Sequence, residues 1–118
     1  MNNSWGKDTK FYKSKAWKNL RNQKINDNPL CELCLQHSII NEAKYVDHIL
    51  NRLIFPDFEL EYDNLQSLCP TCHSQKTQLE RTIKDPALYL KSMQDGKLQY
   101  ICTPEAKKRL FDLLTKST

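Results

Sequence analysis

The sequence predicts an α+β chain centred on two β-strands and a following helix, closed at one end by a metal. Three observations carry that expectation. Cys31 and Cys34, and again Cys69 and Cys72, form Cys-x2-Cys pairs. Each pair holds two thiolates on a tight turn, and together they make the ligand set of one tetrahedral Zn²⁺. Between the pairs, Lys44–Leu50 is β-branched and aromatic enough to be a strand, and Asn64–Leu68 returns as its hairpin partner. From Pro70 the pattern turns helical, with His73 and Thr77 at i and i+4 on one face.

Composition bounds the rest. A chain of 118 residues fits one small domain with extensions. A hydrophobic content of 39% with only 2 Gly supports a folded chain whose small core gains from a metal staple. The five cysteines are an odd number, and no apolar run approaches a membrane span or a signal peptide. A reducing cytoplasm without membrane contact is therefore expected, where paired Cys-x2-Cys motifs mean metal rather than disulfide. The net charge of +4 permits nucleic-acid binding without demanding it. Its distribution says more: Lys7, Lys10, Lys13, Lys15, Lys18, Arg21 and Lys24 face a single Asp8 at the amino-terminal end.

Taken in order, residues 1–12 read as a flexible basic arm carrying Trp5, Phe11 and Tyr12. Ser14 is an N-cap for a basic helix over about Lys15–Asn26, with Trp17, Leu20 and Lys24 on one face. Lys13, Lys18 and Arg21 are candidate phosphate contacts, against the plainer reading of an ordinary solvated helix face. Asn28-Pro29 closes the helix, and Leu30–Cys34 forms the first knuckle. The 34 residues between Cys34 and Cys69 exceed a simple zinc ribbon, so the strand pair and a polar, aromatic loop over Asn51–Asp63 are inserted there. The helix from the second knuckle runs to about Ile83. Asp85-Pro86 starts a helix over Pro86–Asp95 that Gly96 stops, and Thr103-Pro104 starts another to about Thr115 with Ala106, Leu110, Leu113 and Leu114 as its apolar stripe. The resulting division is an arm at 1–12, a zinc-knuckle domain at 13–83 and a helical extension at 84–118.

Chemistry gathers at Asp47, His48 and His73. Neighbours on a strand point to opposite faces, so Asp47 and His48 share a site only if a bend or bulge lets them converge. A carboxylate and an imidazole from different elements then hold a divalent ion, while an unligated imidazole takes a proton from water. Phosphodiester hydrolysis needs that division of labour. Arg52 and Lys76 are phosphate contacts or plain solvated charge. Asn64, after Asp63, reads on its own as a turn residue. His37 reads as a surface residue, since four thiolates already fill the zinc shell, and Cys102 as a small buried apolar one.

Val46–Ile49, Asn64–Cys69 and Cys72–Thr77, in that order and spacing, resemble the HNH endonucleases, particularly small phage-type members with an added four-cysteine zinc site. Phe11–Arg21 also looks like the start of that group, and the resemblance covers about residues 11–80. It implies a ββα-metal fold and a metal-dependent DNA endonuclease leaving 5′ phosphate and 3′ hydroxyl ends. His48 corresponds to the general base, Asp47 and His73 to the ligands of a catalytic Mg²⁺, Mn²⁺ or Ni²⁺, and Asn64 to the residue that braces the loop. Thr77 stands where some members place a third ligand. Leu50 departs from the Pro that members often carry there. So small a unit offers little base readout, so nicking with low sequence specificity by a monomer or weak dimer is expected, in the cytoplasm of a bacterial host. The setting is phage DNA packaging, with packaging proteins as partners, or restriction and defence. A second reading takes the chain as a zinc-stabilised nucleic-acid or protein adaptor with a vestigial catalytic set. The competent residue types at every motif position weigh against it.

Overall fold

The computed structural model describes residues 9–95 and 101–116. Most of the arm, with Trp5, lies outside the described residues, as do Gly96, Leu98 and Tyr100. The arm's described part differs from a flexible segment: residues 9–12 are helical. Phe11 and Tyr12 pack against Trp17, with ring centroids 5.4 and 5.5 Å away.

Helix α1, Lys15–Asp27, starts where the hydroxyl of Ser14 accepts from Trp17 N at 3.2 Å. Its inward face buries Trp17 and Lys24. The short α2, Glu32–Leu35, carries the first knuckle and is closed at its base by Cys31 N donating to Asn41 O and Ala43 N to Pro29 O. Strand β1, Tyr45–His48, pairs antiparallel with β2, Leu65–Leu68, in register Tyr45↔Leu68 to His48↔Leu65. Both strands are shorter than the sequence pattern, because the chain turns at Ile49 and again through a 3-10 turn at Tyr62–Asn64. Helix α3, Pro70–Thr82, opens at the second knuckle with Pro at its first position, where the missing N–H costs nothing. Helices α4, Pro86–Gln94, and α5, Pro104–Lys116, follow. Asp85 caps α4 by accepting from Ala87 N, and Thr103 Oγ1 accepts from Ala106 N at the start of α5.

Two apolar clusters flank the strand pair. One joins Cys31, Leu33, Leu68 and Cys69 around the knuckles. The other sets Ile49 and Leu50, just past β1, against Tyr89, Met93, Ile101, Ala106 and Leu110. Fully burying a side chain of this size contributes about 1.5–3 kcal/mol. The carboxy-terminal helices therefore close the core behind β1, and of the apolar stripe of α5, Ala106 and Leu110 face inward. Cys102 is half-buried among them, and burial pushes its thiol up to about 11.

Polar ties fix α1 and α2 to the sheet. Glu32 Oε2 accepts from Ser67 N at 2.7 Å and pairs with Lys24 Nζ at 3.2 Å, and the same buried ammonium donates to Asn28 Oδ1. No helix among the described residues is long and apolar enough to cross a membrane.

Candidate active site

The four cysteines converge as their spacing predicts, with all four sulfurs within 4.8 Å of one another. Cys34 Sγ lies 3.8 Å from Cys69 Sγ and 3.7 Å from Cys72 Sγ. Tetrahedral Zn–S bonds of about 2.3 Å put ligand sulfurs about 3.8 Å apart, so the cage has zinc dimensions. Burial and the surrounding sulfurs push the Cys34 and Cys72 thiols up. Four thiolates share this space only around a cation, and Cys31, Cys34, Cys69 and Cys72 are placed to hold a structural zinc. His37 is exposed and outside it.

The second centre lies along the unpaired edge of β1. Lys44, Tyr45, Val46, Asp47 and His48 all border one depression of about 370 Å³, together with Tyr12, Trp17, Arg21 and His73. Successive side chains leave a strand on opposite faces, but both faces meet at an open edge. Asp47 and His48 thus reach one space at the end of a regularly paired strand, without a bulge.

His48 is fixed from two directions. Its ring stacks on Trp17 with centroids 4.9 Å apart. Its Nε2 lies 2.9 Å from the carbonyl oxygen of Glu59. A carbonyl only accepts, so Nε2 carries the hydrogen and Nδ1 keeps its lone pair. Burial pushes the imidazole below its ordinary value of 6.5, and the nearby Lys76 and Arg52 add to that against the upward pull of the Glu59 bond and Asp47. The ring is therefore neutral at pH 7 and able to accept a proton.

Asp47 and His73 meet from β1 and α3, with Asp47 Oδ1 3.9 Å from His73 Nε2. Two donors with metal bonds of about 2.1 Å can stand at most about 4.2 Å apart, so both reach one ion at this separation, and a small approach of the two brings them to the usual angle. His73 is stacked on Tyr45, centroids 4.3 Å apart and planes 14° from parallel. Thr77 borders the neighbouring depression, but its hydroxyl donates to His73 O at 2.9 Å, as helix threonines often do. Two protein ligands, one carboxylate and one imidazole, fit a divalent ion that keeps open positions for water and phosphate.

Asn64 is fully buried and bonded at both ends of its amide. Its Oδ1 accepts from Leu50 N at 2.7 Å, and its Nδ2 donates to Leu50 O at 3.2 Å and Phe58 O at 3.0 Å. These bonds pin the loop beside Glu59, whose carbonyl holds His48. The departure at Leu50 has a use here, since a proline would lack the N–H that Asn64 receives.

Lys76 corrects the sequence reading. As a phosphate contact it would face solvent, but it is fully buried beneath β1. Its ammonium lies 2.9 Å from Asp47 Oδ2, 2.7 Å from Glu80 Oε2 and 2.7 Å from His48 O. Burial alone would push the ammonium down, but the carboxylates of Asp47 and Glu80 hold it up. Asp47 Oδ2 makes a charge contact without an aligned hydrogen bond, which leaves Oδ1 as the oxygen turned towards His73. Sequence spacing carried a signal for this: Lys76 and Glu80 stand i and i+4 apart, and Lys76 is i+3 from His73 on its inward face.

Arg52 pairs with Glu59 through Nε and Nη2, both at 3.2 Å from Oε2, and its guanidinium lies 4.1 Å from the Phe11 ring centre. Arg21 borders the larger depression with His48, while Lys13 and Lys18 are exposed. No sequence pattern pointed to the Glu59 carbonyl or the Tyr45 stack, because each acts through a fold-dependent contact.

A family model described as HNH endonuclease matches residues 31–79. Among solved structures, the chain is similar to the HNH endonuclease of deep-sea thermophilic bacteriophage GVE2, crystallised with manganese ion. The two share 34% identity with a TM-score of 0.62, over 70% of this chain and 97% of that chain. No curated protein matches the chain.

Proposed function

This chain belongs to the HNH endonuclease family and is a metal-dependent nuclease, and from that premise we propose a specific mechanism: one-ion hydrolysis of DNA phosphodiester bonds with His48 as general base. The observation that carries it is the His48 ring, tied at Nε2 to Glu59 O, beside the Asp47–His73 pair.

Water at the scissile phosphate gives a proton to His48 Nδ1 as its oxygen attacks phosphorus. Burial supports this role by keeping the imidazole neutral. Asp47 Oδ1 and His73 Nε2 would hold the divalent ion, which when bound supplies positive charge to the phosphate and the departing 3′ oxygen. Lys76 holds Asp47 Oδ2 and so keeps the carboxylate turned, and the Tyr45 stack keeps the His73 ring in place. Arg21 and Lys44 border the depression, and Lys13 and Lys18 extend positive charge along the amino-terminal segment, where flanking phosphates would run. Phosphate contacts carry no base identity, which supports nicking with little sequence preference. The expected ends are 5′ phosphate and 3′ hydroxyl. The manganese bound by the phage neighbour supports Mg²⁺ or a related ion here. The phage origin of that neighbour supports a packaging or restriction and defence setting inside a bacterial host.

Supercoiled-plasmid cleavage in EDTA, Mg²⁺, Mn²⁺ and Ni²⁺ tests this reading on the wild-type chain, Asp47→Ala and His73→Ala. Open-circular DNA is expected to accumulate ahead of linear, only with an ion present and only for wild type. DNA binding without cleavage in every ion would replace the mechanism with the adaptor reading.

A further inference from the structure

Three consecutive peptide carbonyls at the exit of β1 each accept from a buried side chain on a different element. His48 O accepts from Lys76 Nζ of α3 at 2.7 Å. Ile49 O accepts from Tyr89 Oη of α4 at 2.6 Å. Leu50 O accepts from Asn64 Nδ2 before β2 at 3.2 Å. The amides of the same turn are held as well, with Ile49 N donating to Asn64 O and Leu50 N to Asn64 Oδ1. A four-residue strand paired on one side has little rigidity of its own, so the backbone that carries His48 is set by these clamps. Two of them, Lys76 and Asn64, fall within the stretch that matches the family model, whereas Tyr89 lies beyond it on the carboxy-terminal helices.

We propose that Tyr89 is a positioning residue for the cleavage reaction: its hydroxyl fixes the peptide after His48, making the carboxy-terminal helices a working part of the catalytic site. Packing alone does not require this hydroxyl, since phenylalanine fills nearly the same volume in the cluster with Ile49, Leu50 and Met93. Without the bond, the buried Ile49 carbonyl loses its partner, and the turn shifts to find another. Displacement of a reacting group by a fraction of an ångström slows chemistry without weakening DNA binding, because Tyr89 borders neither depression at the site.

The inference rests on the nuclease reading, and the test separates the two. Cleavage by wild type, Tyr89→Phe and Met93→Ala is measured as a function of plasmid concentration, at a temperature where all three are folded. Met93 is buried in the same cluster on the same helix, so its truncation controls for lost stability. Tyr89→Phe is expected to lower kcat about 3- to 30-fold with KM for DNA within about twofold of wild type. Met93→Ala is expected to keep kcat while lowering Tm. Should Tyr89→Phe be too unstable to assay, 4-aminophenylalanine at position 89 keeps a weaker donor in the same place, and kcat falls by a smaller factor with KM again unchanged. Wild-type kcat in the variant assayed, or an equal fall in Met93→Ala, would overturn the positioning role while leaving the nuclease intact. A wild-type chain that fails to cleave in Mg²⁺, Mn²⁺ and Ni²⁺ alike would remove the nuclease reading and this inference with it.

Discussion

Replacing Lys76 by methionine separates a buried structural charge from a DNA contact. The ammonium has no solvent exposure and lies within 2.9 Å of Asp47 Oδ2, Glu80 Oε2 and His48 O. Methionine keeps most of the volume but leaves two carboxylates and a carbonyl unmatched. Breaking a buried pair by removing one partner costs about 3–5 kcal/mol. Glu80 relieves part of this, since burial already pushes its carboxyl up and makes it ready to take a proton. The low end, about 3 kcal/mol, is therefore expected. For a domain of this size each kcal/mol moves Tm by about 3–6 °C, giving a fall of about 10–20 °C. Circular-dichroism melts of the zinc-loaded chains measure it, alongside the salt dependence of DNA binding by variant and wild type. A phosphate contact would instead leave Tm alone and reduce the slope of log K against log salt by about 1. An unchanged Tm with a reduced slope would refute the buried placement of Lys76.

Asn64→Ala removes the bonds to Leu50 N, Leu50 O and Phe58 O, so urea unfolding should show a loss of about 2–4 kcal/mol, together with a fall in kcat as Glu59 O drifts from His48. Cys31→Ser should abolish zinc in the purified chain by metal analysis and eliminate cooperative thermal unfolding, since the cage joins α2 to the start of α3. For pH, the depressed value of His48 means its acid limb in kcat/KM should lie below 6.5. Its linkage has the same sign: as pH falls from about 6.5 towards the folded value, the unfolded chain takes up a proton the folded chain resists, so stability from this residue declines. A limb at or above 6.5 would contradict the burial that depresses His48.

Local signals in the chain were enough for the zinc cage, the order of elements and the helix starts. Ser14, Asp85 and Thr103 cap the helices they precede, and Pro70 opens α3 as its fixed φ favours. The Asp47, His48 and His73 cluster was legible as a set, but its geometry was not. Strand parity argued for a bend or a bulge; β1 is regularly paired through His48, the chain bends at Ile49 and Leu50, and Asp47 and His48 border one depression at the strand's open edge. The role of Lys76 was hidden because a lysine defaults to solvent, and only the inward face shared with His73 placed it beneath Asp47. Tyr89 and the Glu59 carbonyl lie 41 and 11 residues from His48. Their contacts depend on the closing of the carboxy-terminal helices and on loop shape, which no periodicity encodes.

The central claim is that His48 takes the proton from water beside the Asp47–His73 ion site. Single-turnover plasmid cleavage by wild type and His48→Ala in Mg²⁺ tests it most directly, once both chains are shown to hold zinc and to be folded. The rate for His48→Ala is expected to be at least about 100-fold lower, the scale of a lost general base. Equal rates would contradict it and remove His48 from the chemistry.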